Sequence, residues 1–162
     1  MIPNLFYWTD DSLGLGHRMQ GQAITEAWRA RGGVAAYTGT PEHMRSVVVF
    51  DGYAWTDRAR QLWQNAGHYV VVIDDRPGDY TCDLFIDKNY HAEWKTYAMP
   101  AKMLLGVEYF PLRQNYTSLA VTEDMDVFDA DAAGRKLPPL SFAHQMAAAK
   151  VVICSAGLTA YE

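Results

Sequence analysis

The sequence predicts an α/β fold, a Rossmann-like parallel sheet with flanking helices. Short apolar runs rich in β-branched and aromatic residues alternate with stretches of helical spacing, and such alternation packs as a parallel sheet with right-handed crossovers. Three of those runs end in acidic turns, at Asp10-Asp11-Ser12, Asp51-Gly52-Tyr53 and Asp74-Asp75. In sheets of this kind ligands sit beyond the carboxyl ends of the strands.

In chain order, residues 4–9 form an aromatic-rich run bounded by turn residues, the pattern of a buried strand. Leu13-Gly14-Leu15-Gly16-His17 follows as a turn. From Arg18 to Arg31 the apolar residues Ala23, Ile24, Ala27 and Trp28 share a helical face, and Gly32-Gly33 stops that helix as a glycine just past a helix end does. Val34 to Tyr37 is a second strand and Ser46 to Phe50 a third. Thr56 caps a helix through about Ala66, with Gly67 after it. Further strands are expected at His68–Ile73, Leu84–Ile86 and Lys102–Leu105. After Asn115 the texture changes: residues 117–140 carry five carboxylates between Glu123 and Asp131 and the pair Pro138-Pro139, the composition of a linker or a tight irregular cap. A helix near Ser141–Ala149 and a strand at Lys150–Cys154 close the pattern.

The bulk properties exclude several classes. The chain has 162 residues, 49% hydrophobic and 20% charged, which allows a packed core and argues against disorder. A net charge of −5 argues against a general nucleic-acid binder, which needs a basic face. It does not exclude a small phosphorylated ligand held by backbone amides. The two cysteines, Cys82 and Cys154, have no zinc-type spacing and are expected to be buried thiols. No apolar run reaches membrane-span length, and the first residues lack the features of a leader peptide, so the expected location is cytoplasmic.

Chemistry is expected at the segment Asp10 to His17. Glycines let backbone pass close to a ligand, and a helix start offers free N–H groups and a positive dipole end. A histidine there can act as general base to a water, with Asp10 or Asp11 orienting the imidazole through its other nitrogen. The competing reading is a tight strand-to-helix turn bearing a surface histidine. Asp124-Met125-Asp126 and Asp129-Ala130-Asp131 are expected to be solvated acidic runs, so no metal is assigned. His43, His68, His91 and His144 lack ligand spacing and are expected at the surface or in packing. Of Tyr53, Trp55, Tyr90, Trp94 and Tyr97, most are expected in the core, while Tyr53 and Trp55 follow a strand end and can line a pocket.

Four blocks in register extend this reading: Leu13-Gly14-Leu15-Gly16-His17; Phe50-Asp51-Gly52-Tyr53; Val72-Ile73-Asp74-Asp75 with Cys82-Asp83-Leu84 and Asn89; and Leu105-Gly106, Tyr109 and Leu112-Arg113. In these the chain resembles the UDP-sugar hydrolases of pseudaminic acid biosynthesis, relatives of glycosyltransferases with the two-domain B-type fold. Residues 146–162 resemble that family's helix–strand–loop, in which Ser155, Gly157, Thr159 and Glu162 take the positions that hold the diphosphate and ribose. Two departures stand out: Gln20 occupies the place of an arginine three residues after the histidine, and the segment before Gly14 is shorter.

The resemblance implies a Rossmann-like domain at 1–116, the N-terminal half of a glycosyltransferase B-type fold. An acidic, proline-containing linker at 117–140 and a reduced remnant of a second nucleotide-binding domain at 141–162 follow. It implies hydrolysis of a UDP-linked amino-sugar without a cofactor, with His17 activating water and Asp10 assisting. Gly14 and Gly16 would let the substrate approach, and Asp11, Asp51, Tyr53 and Asp74 would shape its pocket. The expected partner is a small-molecule nucleotide-sugar, with neither nucleic acid nor membrane, and a second copy or partner chain completing the cleft. A non-catalytic nucleotide-sugar binder and a structural or interaction module stand as alternatives, because fold does not imply function.

Overall fold

The computed structural model describes residues 2–9, 15–37, 39, 45–90, 92–97, 102–111, 125–129, 144 and 147–153. Two compact units divide the chain, Met1–Pro111 and Leu112–Glu162. The first contains strands β1 (Leu5–Thr9), β2 (Ala35–Tyr37), β3 (Val47–Asp51), β4 (Tyr69–Ile73), β5 (Leu84–Asp87) and β6 (Lys102–Leu105), with helices α1 (Leu15–Ala30) and α2 (Asp57–Asn65). All six strands are parallel, in the order β2-β1-β3-β4-β5-β6, a Rossmann-like α/β sheet. Leu5 lies opposite both Ala35 and Val47, and Asp51 lies opposite Thr9 and Ile73. The chain steps one way from β1 to β2 and the other way from β3 to β6. The order therefore reverses between β1 and β3, which makes that gap the topological switch point.

Alternate residues of a strand point to opposite faces, and right-handed crossovers running in opposite directions put α1 and α2 on opposite faces. On one face Leu5, Tyr7, Val49, Val71 and Ile73 pack with Ile24 and Trp28 of α1. On the other Val48, Phe50, Val70, Val72 and Phe85 pack with Trp8 and with Trp63 of α2. Burial on both faces explains why β3 and β4 read as continuous apolar runs rather than alternating ones. The Thr56 hydroxyl accepts from the Ala59 N–H as expected of a cap, and Gly32 and Gly67, at φ of 84° and 87°, end the two helices.

Helix α1 begins at Leu15, ahead of the expected Arg18, so Gly16 and His17 lie in its first turn rather than in a preceding loop. First-turn N–H groups need no intrahelical acceptor, so a glycine is tolerated there. The inward side of α1 is also more polar than its apolar spacing implies: Gln20 and Thr25 are buried beside Ala23. Gly21 explains the close approach of this helix to the sheet. A Cβ at position 21 would lie 2.5 Å from Tyr7 Cε1 and 2.7 Å from Tyr37 Oη. Alanine for glycine inside a helix ordinarily stabilises by up to ~1 kcal/mol. Here Gly21→Ala is expected to destabilise by about 1–3 kcal/mol through overpacking, read as a lower denaturation midpoint; a raised midpoint would refute the contact.

The second unit contributes β7 (Met125–Asp129) and β8 (Ala149–Ile153), paired in parallel with Met125 opposite Ala149 and Asp129 opposite Ile153. The stretch expected to be a linker thus contains a strand, and the helix expected to run to Ala149 has given way to β8 at that residue. No helix among the described residues is long and apolar enough to cross a membrane.

Candidate functional site

A pocket of about 100 Å³ opens at the carboxyl ends of β3, β4 and β5, beside the first turn of α1. His17, Tyr53, Asp74, Asp75, Lys88 and Asn89 are among its lining residues. Its place follows from the topology: β3 borders the switch point, and α1 enters from β1 on the other side of it.

The imidazole is held from behind. His17 Nδ1 lies 2.9 Å from Asp51 Oδ1, and Asp51, the last residue of β3, is 0% exposed. A carboxylate accepts, so the neutral ring donates from Nδ1 and keeps Nε2 as the lone-pair nitrogen. The other carboxylate oxygen, Asp51 Oδ2, accepts from the Tyr7 hydroxyl at 2.6 Å. Gln20 Nε2 in turn donates to Tyr7 Oη at 3.2 Å. Burial first, and then the Asp51 charge, push the Tyr7 phenol well above the usual tyrosine range, so it stays a donor.

The turn after β3 is made possible by Gly52, whose φ of 105° is open to glycine and strained for other residues. It delivers Tyr53 to the pocket edge, its ring meeting that of His17 edge-on at 6.4 Å between centroids. The Tyr53 hydroxyl donates to Asp75 Oδ1 at 2.8 Å, and the Arg76 guanidinium lies 4.2 Å from the Tyr53 ring centroid. At the end of β4, Asp74 Oδ1 accepts from the Asp75 and Arg76 backbone N–H groups, while both of its oxygens take the Arg76 guanidinium. Asp74 therefore shapes the wall by holding its own turn.

The far wall rests on Asp87 at the end of β5. Its Oδ1 accepts from the Asn89 backbone N–H and side-chain amide, and its Oδ2 from Lys95 Nζ at 2.9 Å and the Tyr97 hydroxyl at 2.5 Å. Lys95 also donates to the Asp75 carbonyl, joining this wall to the β4 turn. Burial raises the Asp87 carboxyl, but donation from Tyr97, Lys95 and the Asn89 N–H outweighs it and holds the group below its usual value of 3.8. A depressed carboxyl contributes stability that is present above the unfolded value and lost as pH falls through the folded one. The protein is therefore expected to lose stability below about pH 4, with Asp87→Asn flattening that acid limb; an unchanged limb in denaturation midpoints against pH would refute the cluster's role.

Of the residues expected at the site, His17, Asp51, Tyr53 and Asp74 converge on this pocket. Asp51 serves as the partner of His17, the role expected of Asp10 or Asp11, which lie outside the described residues with Gly14. Gly16 is exposed, and a Cβ there would meet nothing within 4 Å. Ser155, Gly157, Thr159 and Glu162 also lie outside the described residues, as do Cys154, His43 and His91. Tyr7, Gln20, Lys95 and Tyr97 were not legible as site residues: Tyr7 reads as one more strand aromatic, and Gln20 stood out only as a departure from an arginine. Among the aromatics, Trp55 packs against Trp8 and Phe50, while Tyr90 and Trp94 are 69% and 74% exposed. His68 is buried and accepts from the Ser46 N–H, and His144 is exposed. Burial pushes the Cys82 thiol up to about 12, which keeps it a neutral, poorly nucleophilic group. No group of three or more metal-ligating side chains occurs among the described residues.

No protein-family model matches this chain, and no curated protein matches it.

Proposed function

We propose that this protein hydrolyses a nucleotide-linked amino-sugar, with a UDP-sugar as the substrate, and that His17 is its general base. The observation that carries the reading is the His17–Asp51 pair, 2.9 Å apart, placed against a polar pocket beside the switch point of a parallel sheet. The four-block resemblance supplies the substrate class.

In this reading a water donates its proton to His17 Nε2 as its oxygen bonds to the anomeric carbon. The bond from that carbon to the diphosphate oxygen breaks, and UDP leaves with the electron pair. The buried Asp51 carboxylate stabilises the imidazolium that forms, without itself taking the proton. The Asp75 carboxylate at the pocket edge, which accepts from the neutral Tyr53 hydroxyl, favours positive charge on the sugar ring in an oxocarbenium-like transition state.

UDP release from a panel of UDP-acetamido sugars tests this. His17→Ala is expected to lower the rate by about 10²–10⁴-fold with the melting temperature preserved, and ¹⁸O from labelled water is expected in the sugar. Label in UDP would refute the bond assignment. Failure of every substrate, with a ligand-dependent rise in melting temperature that His17→Ala retains, would replace hydrolysis with binding alone.

A further inference from the structure

We infer that the Tyr7 hydroxyl is a positioning residue of this site, and that Gln20 aims it, so that a buried chain Gln20–Tyr7–Asp51–His17 sets the direction in which the imidazole presents its lone pair. The inference rests on the hydrolase reading for its catalytic meaning, though not for its geometry.

Three elements converge on the chain: β1 supplies Tyr7, α1 supplies Gln20 and His17, and β3 supplies Asp51. Tyr7, Asp51 and Gln20 are 0%, 0% and 1% exposed, so bulk water does not reach the Gln20–Tyr7 and Tyr7–Asp51 bonds. Gln20 Nε2 donates to Tyr7 Oη, which occupies a lone pair of that hydroxyl and leaves its single proton for Asp51 Oδ2 at 2.6 Å. Asp51 is then held on both oxygens, with Oδ1 committed to His17 Nδ1. Without the phenol, Asp51 Oδ2 is a buried anionic oxygen that has lost its donor, which a protein relieves by turning the carboxylate. Turning it releases the imidazole. The phenol cannot drift instead, because its ring packs closely over Gly21 of α1, where even a Cβ would lie 2.5 Å from Tyr7 Cε1, and meets the edge-on ring of Tyr37, 5.7 Å between centroids, on another side.

Imidazole NMR reads this chain without any substrate. His17 signals are assigned by their loss in His17→Gln and followed near pH 8.5, where an ordinary imidazole is neutral. The wild-type protein is expected to show a protonated Nδ1 and a bare Nε2. Tyr7→Phe is expected to displace or remove the Nδ1 proton signal, to mix the tautomers, and to lower kcat about tenfold with KM within about twofold. Unchanged ring signals in folded Tyr7→Phe overturn the inference even where stability falls, because lost packing alone does not alter the tautomer. Gln20→Met keeps a good helix former and is expected to displace the same signal in the same direction by less. If Tyr7→Phe does not fold, the absence of any displacement in Gln20→Met overturns the inference. A wild-type protein that hydrolyses nothing refutes the hydrolase reading, while the ring signals still decide the role of Tyr7.

Discussion

Asp51→Asn is expected to lower hydrolysis by about 10³–10⁴-fold, the loss seen where an amide replaces the carboxylate that orients a catalytic histidine. The reason is the tautomer. The present carboxylate accepts from both Tyr7 and His17. An amide of the same shape accepts through its oxygen from Tyr7 but donates through its nitrogen to His17 Nδ1. The ring must then carry its proton on Nε2, the nitrogen not engaged by residue 51, and no lone pair is left there to receive a proton from water. Shape and burial are conserved, so the melting temperature is expected to move little compared with Asp51→Ala, which leaves the Tyr7 hydroxyl without its buried acceptor. Steady-state rates of UDP release, paired with thermal denaturation, check both halves. A rate within tenfold of the wild type would remove Asp51 from the mechanism.

Phe85→Ala carries the largest expected effect on stability, a loss of about 3–5 kcal/mol. Phe85 is 0% exposed in β5, stacked on Tyr80 at 5.1 Å and tilted against Tyr97 at 4.9 Å between centroids. A cavity at that point cannot collapse easily, because parallel partners flank β5 on both sides: Phe85 pairs with Val72 and with Met103. At roughly 2–4 °C per kcal/mol for a chain of this size, the midpoint is expected to drop by at least about 6 °C. The effect reaches the site as well, since Tyr97 leans on Phe85 and donates to Asp87, which holds Asn89 at the far wall. Phe85→Leu, which keeps most of the volume, is expected to lose under about 1.5 kcal/mol. Equal losses in the two variants would show that packing at Phe85 is not the controlling term.

The contrast between the His17 and Tyr7 readings shows where sequence reasoning reaches. His17 was legible because a histidine between a glycine and a helical stretch, just after a strand, is a local pattern. Its partner was not. Asp10 and Asp11 are near in the chain, whereas Asp51 is brought to the ring by the pairing of β1 with β3, which places Thr9 opposite Asp51. Spacing along a sequence cannot rank a carboxylate a few residues away against one delivered by the adjacent strand. Tyr7 and Gln20 were hidden for a related reason: a buried polar side chain reads as an error in an apolar face until its partner is known. Asp87 was hidden because the strand was read as ending at Ile86, and nothing local shows that Lys95 and Tyr97 from the following segment cover the carboxylate.

By itself the sequence determined the α/β class, the strands and helices of the first unit and the ends of the strands at which to look for chemistry, because periodicity, caps and turn residues act over a few positions. Tertiary structure alone decided which carboxylate meets the imidazole, which phenol steadies that carboxylate, and that β7 lies in a stretch with the composition of a linker. Those outcomes depend on strand order and register, which bring together residues far apart in the chain, and no local propensity encodes them.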